Sequence, residues 1–169
     1  MRKALYILAD LEDEDIIWMS RAGAVREIGA GETLIHAGSP VSHLYFVTEG
    51  ALEVVTRAGA RIAELGLGEV VGEMSFVEKR VPSVSVRAVR PTRLLAIPRE
   101  AMLAEFAEDK GLAMRFYRAL AVFLSDRLRA MSDHDDGELD EGLLDNVQQA
   151  GERFIRLVNM SNAPAQLMR

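Results

Sequence analysis

The rhythm of apolar and polar positions changes twice along this chain. Residues 9–22 carry acids in their first turn and then Ile16, Ile17 and Trp18, a pattern that predicts a short amphipathic helix. From Val25 to about Pro98 the texture becomes short β segments, split by turn signals every eight to twelve residues or so. Ala30-Gly31, Ala37-Gly38-Ser39-Pro40, Glu49-Gly50, Ala58-Gly59 and Leu67-Gly68 supply that punctuation. Between them the pattern predicts strands at Thr33–His36, Leu44–Thr48, Leu52–Thr56, Ile62–Leu65, Val84–Ala88 and Arg93–Ile97. Strands this short and this closely spaced predict a small antiparallel sandwich or barrel.

Past Ile97 the period returns to that of a helix. Arg99–Glu108 follows Pro98 as one predicted helix. Leu112–Met131 follows as another, its stripe made of Phe116, Leu120, Phe123, Leu124, Leu128 and Met131 at intervals of three and four. Met131–Asp145 is crowded with acids and reads as a solvated linker that favours the next helix's start. A last helix is predicted from about Asp140 to Met160, with Leu143, Val147, Ala150, Phe154 and Leu157 on one face, and Asn162–Arg169 reads as frayed. The expected order is helix, β-barrel, then two or three helices, with residues 1–131 as the principal domain and 132–169 as acidic linker plus extra helix.

Length and composition narrow the function classes. A chain of 169 residues is one domain by default, and 49% hydrophobic with 27% charged residues is ordinary for a folded globular protein. The absence of cysteine removes disulfides and thiolate metal sites, and fits a reducing cytoplasm. The apolar run at Leu5–Ala9 is broken by acids too early for a signal peptide, and no stretch is long enough to span a bilayer. A net charge of −6 argues against a nucleic-acid surface, which needs a basic face to displace counterions. No nucleic-acid or membrane partner is therefore expected.

The densest chemistry lies at Gly68-Glu69-Val70-Val71-Gly72-Glu73-Met74-Ser75-Phe76. Glycine permits positive φ and close approach of a ligand. A helical turn directly after it presents free N–H groups, well suited to a phosphate, while the Glu73 carboxylate can accept hydrogen bonds from a sugar hydroxyl. No other motif competes with this one. Gly-x-Ser-x-Gly elbows, paired histidines and nucleophilic cysteines are absent, so no enzyme is expected. His36, His43 and His134 are scattered and supply no metal set, and Gly137 falls out of register with a calcium loop in the acidic segment.

Taken in order, Gly31-Glu32 through Gly38, Leu44–Gly50 and Gly68–Phe76 resemble the early glycine turns, the central strand and glycine, and the phosphate-cassette segment of the cyclic nucleotide-binding domain family. The resemblance covers roughly residues 10–130. It implies an α+β fold, an antiparallel β-barrel of double-stranded β-helix or jelly-roll type with flanking N- and C-terminal helices. It implies a regulatory module that binds cyclic AMP, cyclic GMP or a related anion, with no separate cofactor. By the same resemblance, Glu73 would take the ribose 2′-hydroxyl, and Gly72, Met74 and Ser75 would offer N–H groups to the cyclic phosphate. The pocket would comprise Val71, Gly72, Glu73, Met74, Ser75, Arg80, Pro82, Ser83 and Val84.

One place departs from the family pattern. Where the family carries a phosphate-clamping arginine followed by a small or hydroxyl residue, this chain has Pro82, then Ser83 and Val84. Losing a charge-assisted hydrogen bond there costs about 1.5–3 kcal/mol, roughly 10–150-fold in affinity. Proline offers no backbone N–H in its place. Arg80 and Arg87 are the nearby candidates to replace it, and along the strand Ser83, Ser85 and Arg87 share one face while Val84 and Val86 share the other. The alternative is a degenerate pocket on a docking or dimerisation module that acts through its C-terminal helices. In this family the long helix commonly moves with ligand and forms a dimer seam, so a homodimer or a partner protein through those helices is expected. DNA-binding members append a helix-turn-helix after it, and fewer than forty residues remain here beyond Met131.

Overall fold

The computed structural model describes residues 3–132 and 141–162, with side chains described over 7–125 and 149–160. In chain order the elements are α1 (Lys3–Asp10), α2 (Asp13–Ala22), β1 (Ala24–Ile28), β2 (Thr33–Ile35), β3 (His43–Val55), β4 (Arg61–Leu65), β5 (Val70–Val71), α3 (Met74–Val77), β6 (Ser85–Pro98), α4 (Arg99–Glu108), α5 (Lys110–Ser132) and α6 (Glu141–Asn162). The α+β class with antiparallel strands and flanking helices is the one the sequence predicts.

Two long strands organise the sheet. β3 and β6 run antiparallel from His43 opposite Pro98 to Val55 opposite Ser85, with register shifts around Glu49, Ala51 and Leu52. On one side of those shifts β1 pairs with the end of β6, and β5 with the start of β3. On the other side β2 pairs with the start of β6, and β4 with the end of β3. Each long strand thus belongs to two leaves. Ile28, Tyr45, Val47 and Leu94 from the first leaf share one apolar core with Leu34, Leu52, Leu65 and Val86 from the second.

This corrects four predicted strands to two. Leu44–Thr48 and Leu52–Thr56 are one strand, as are Val84–Ala88 and Arg93–Ile97. Glu49-Gly50 is a bulge and not a reversing turn. Gly50 has φ +90°, and a Cβ there would lie 2.5 Å from the Pro91 carbonyl oxygen. Buried Thr92 secures the bulge, its Oγ1 accepting from Ala51 N at 3.1 Å. β1 and β5 were missed because one is a half-exposed edge of mixed pattern and the other has two residues.

The first leaf is buried on both faces. Leu44, Phe46, Leu95 and Ile97 alternate with the inner-core residues and point to a helical layer. That layer contains Ile7, Leu8, Met19, Met102, Phe116 and Leu120, joined by Ala150, Phe154 and Leu157 of α6. α6 is held by more than apolar contact. Arg153 Nη1 donates to Leu8 O and Ala9 O, both at 2.9 Å, at the C-terminal end of α1. The predicted helix at 9–22 is two helices, because Glu12 starts a new one: its N–H donates to Asp15 Oδ2 at 2.7 Å in a capping box. Leu124 is half-exposed, while the side chains of Leu128, Met131, Leu143 and Val147 lie outside the described residues, as does the segment predicted to fray beyond Asn162. Among the described residues no helix is long and apolar enough to cross a membrane.

Asp15 also ties α2 to α5. Its side chain is only 2% exposed and receives both Arg115 Nε at 2.8 Å and Nη2 at 2.7 Å, and that hydrogen bonding raises the Arg115 pKa. Removing one member of a buried pair strands the other charge. Arg115→Met is expected to destabilise the fold by about 3 kcal/mol. Chemical denaturation checks it; a loss below about 1 kcal/mol would mean the pair is no strut.

Candidate functional site

The site grows from a two-residue strand. β5 pairs Val71 with Tyr45 and Val70 with Phe46, which brings the chain to Gly72 hard against β3. Gly72 has φ +95°, and a Cβ there would overlap the His43 carbonyl oxygen and sit 3.1 Å from Val41 Cγ1. Only glycine makes that turn without strain. Ser75 Oγ donates to Gly72 O at 2.7 Å, closing the short helix α3 on itself. Glu73 is thereby drawn inward, its residue only 5% exposed.

Beyond α3 the chain runs as a loop back to β6. Gly38 N donates to Pro82 O at 2.7 Å, and Ala37 N to Ser85 Oγ at 3.0 Å, which fix the loop's far end against the turn after β2. The alternation expected along the strand holds from Val84 to Arg87 and fails at Ser83. Val84 and Val86 face inward, Ser85 is taken up by Ala37, and Arg87 Nε reaches Glu53 Oε1 at 2.5 Å. Ser83, expected on the face of Ser85 and Arg87, instead lines the cavity with Val84 and Val86 and is exposed, because it sits on a bend before the strand begins.

These segments enclose a cavity of about 620 Å³. Val71, Gly72, Glu73, Met74, Ser75, Arg80, Pro82, Ser83 and Val84 all line it, so the fold brings the nine sequence candidates together. Arg87 does not line it. The sequence reading missed the sheet wall, Ile35, Val54, Ile62, Ala63, Leu65 and Val86, and the side chain of Phe123 from α5. Strand alternation was the available signal for the wall. Phe123 had none, since its stripe reads equally as core packing. Glu69 and Glu78 join Glu73 as lining carboxylates.

The cassette is wired to the helices beneath it. Arg99 Nε, at the start of α4, donates to Ser75 O at 3.1 Å, and its guanidinium lies 5.7 Å from the Phe76 ring centre. Tyr117 Oη on α5 donates to Phe76 O at 3.3 Å. Phe76, Phe106 and Phe116 form a ring cluster with centres 5.2–6.2 Å apart. α3 thus cannot shift without disturbing α4 and α5. Among the described residues no group of three His, Cys, Asp or Glu side chains is placed to hold a metal.

The family model described as "Cyclic nucleotide-binding domain" matches residues 25–109, half of the chain. The chain belongs to the cyclic nucleotide-binding domain family. It is similar to glutaminase 2 of Bradyrhizobium diazoefficiens, 35% identical over 128 residues that make up 73% of this chain and 20% of that protein. It is also similar to the cGMP-dependent protein kinase egl-4 of Caenorhabditis elegans, 28% identical over 80% of this chain and 18% of that one. The chain therefore spans about a fifth of either relative's length. Its fold is similar to that of a cyclic nucleotide-binding domain from Methylobacillus flagellatus, with TM-score 0.67, 23% identity, and 82% and 85% of the two chains covered. This cyclic nucleotide-binding domain is accordingly a ligand-sensing regulatory module.

Two outcomes test the geometry of the cassette. Gly72→Ala is expected to cost at least about 2 kcal/mol, since a left-handed backbone and the His43 carbonyl both oppose a Cβ. Thermal unfolding checks it, and a neutral result would mean the turn is not constrained. His43, beside the cassette, has its pKa lowered by burial and then by the charge of Arg26. The unfolded chain therefore binds this proton more readily. Stability should be full above pH 6.5, the ordinary value, and fall as pH drops below it. His43→Gln should flatten that part of a stability-versus-pH curve relative to the parent protein; an identical slope would remove His43 from the account.

Proposed function

We propose that this domain is a cytoplasmic sensor whose cavity receives a cyclic nucleotide, cyclic AMP or cyclic GMP, and that it performs no reaction itself. The observation that carries this reading is the joining of cavity and cassette: eleven residues between Val71 and Val84 line it, and the helix among them is bonded to α4 and α5. A buried carboxylate at Glu73 fits a ligand hydroxyl, and the apolar wall of Ile35, Leu65 and Val86 fits a base or sugar face. The name of the similar kinase adds support for cGMP as a ligand class.

The proposed relay follows from the contacts. A ligand drawing Gly72–Ser75 inward pulls on Ser75 O and Phe76 O, and so on Arg99 and Tyr117. Phe123 lines the cavity from α5 and adds a second path to the same helix. Such a ligand shifts the helices only as far as its affinity differs between the two arrangements. α5 presents Met114, Tyr117 and Val122 to solvent, which supports association through this helix with a second copy or another protein.

Thermal unfolding with millimolar cyclic AMP or cyclic GMP is the direct test. A site at about a hundred times its dissociation constant adds roughly 2.7 kcal/mol, an easily measured rise. Glu73→Gln keeps the side chain's size but removes the charged acceptor, and should weaken that response by roughly tenfold or more. No response to either nucleotide would overturn the sensor, and an unchanged response in the variant would remove Glu73 from the site.

A further inference from the structure

One sequence pattern occurs twice in the helical layer. Arg115-Phe116-Tyr117-Arg118 on α5 returns on α6 as Arg153-Phe154-Ile155-Arg156. Phe116 and Phe154 are both buried in the helical core. The arginines of both motifs converge on the elbow that joins α1 to α2, residues 8–15. From α5, Arg115 donates to Asp15 from Nε at 2.8 Å and from Nη2 at 2.7 Å, and its Nη1 lies 3.3 Å from Glu12. Arg118 Nε lies 3.8 Å from Asp10. From α6, Arg153 Nη1 donates to Leu8 O and Ala9 O, both at 2.9 Å, and its Nε lies 3.6 Å from Asp13. Arg156 Nη1 donates to Asp13 Oδ2 at 2.7 Å.

The two grips interleave without sharing a residue. α5 holds Asp10, Glu12 and Asp15, while α6 holds Leu8, Ala9 and Asp13. Both have a chemical reason. The last carbonyls of α1 lack helical partners, and the successive acids from Glu12 to Asp15 repel one another at the start of α2. Each grip also spans the elbow, with one end on α1 and the other on the turn that starts α2. Turning α2 on α1 separates those acceptors, so each grip holds over a narrow range of angle. Among the described residues neither Arg153 nor Arg156 bonds to α5, and what these arginines share with α5 is the elbow itself.

We infer that α6 is an arm whose docking is set by α5 through this elbow. α5 fixes the angle of α2 on α1, and α6 stays docked only at that angle. Weakening the grip of α5 therefore loosens α6, whose Ala150, Phe154 and Leu157 are buried only while it is docked. Coupling of this kind is reciprocal, so loosening α6 also loosens the start of α5. The grips exist without a ligand, and the inference does not rest on the sensor reading.

Hydrogen exchange followed by mass spectrometry on the full chain tests this without any nucleotide. The proteins compared are the parent, Arg115→Lys, Asp13→Asn and Arg61→Ala, with the amides of β3 as internal reference. Arg115→Lys keeps the charge but loses the two-pronged grip on Asp15. It should speed exchange in α6 by at least about fivefold relative to β3. Asp13→Asn weakens only the grip of α6 and should speed exchange in Lys110–Arg118 of α5 as well as in α6. Asp13 is exposed, so this variant folds even where Arg115→Lys does not. Arg61→Ala removes an exposed pair with Glu64 on the sheet and should leave both helices unchanged. Exchange in α6 at the parent's rate in Arg115→Lys would overturn the inference. So would a rise of equal size in β3, which marks global loss of stability, or an α5 unaffected by Asp13→Asn.

Discussion

Gly50 lies against the Pro91–Thr92 backbone with no space for a side chain between them, and the rest of the molecule depends on that contact. It is where β3 and β6 shift register together. Two flat hairpins would have given a sheet with one face dry and one wet. Two continuous strands that change register at the same place give two leaves that face one another, with a core between them. Buried Thr92 makes the change of register affordable by receiving the Ala51 N–H that the bulge displaces from the ladder.

The cavity is a consequence of this arrangement. The second leaf supplies Ile35, Val54, Leu65 and Val86 as a wall, and the chain returning from β4 must cross in front of it to reach β6. It does so through Gly72, α3 and the loop at 78–84. Because the first leaf is covered on its outer face by helices, the same crossing brings α3 onto α4 and α5. One segment therefore contacts the ligand-sized space on one side and the helical layer on the other. That double contact is what the proposed relay from the cavity to α5 would use, and Arg153 ties α6 to the same layer.

Much of this was present in the residue pattern. The two long helices after Asp109 were visible because their apolar residues recur at three and four over many turns, whereas Arg99–Glu108 was placed by the Pro98 before it and buries only Met102 and Phe106. The cassette was visible because the Gly72-Glu73 step, preceded by the glycine turns and central strand, resembles the family's phosphate cassette; that Gly72 takes a positive φ and Glu73 is buried came from the structure. The bulge at Gly50 looked like a turn, because glycine meets both needs and only pairing with a strand forty residues away decides between them. The start of α2 at Glu12 depended on the Glu12 N–H donating to Asp15 within one turn of helix, too short a signal to stand out from the acids around it. Phe123 and the sheet wall were assigned to the site by tertiary structure alone. Periodicity states which face of an element is apolar, but it carries no information about which other element that face will meet.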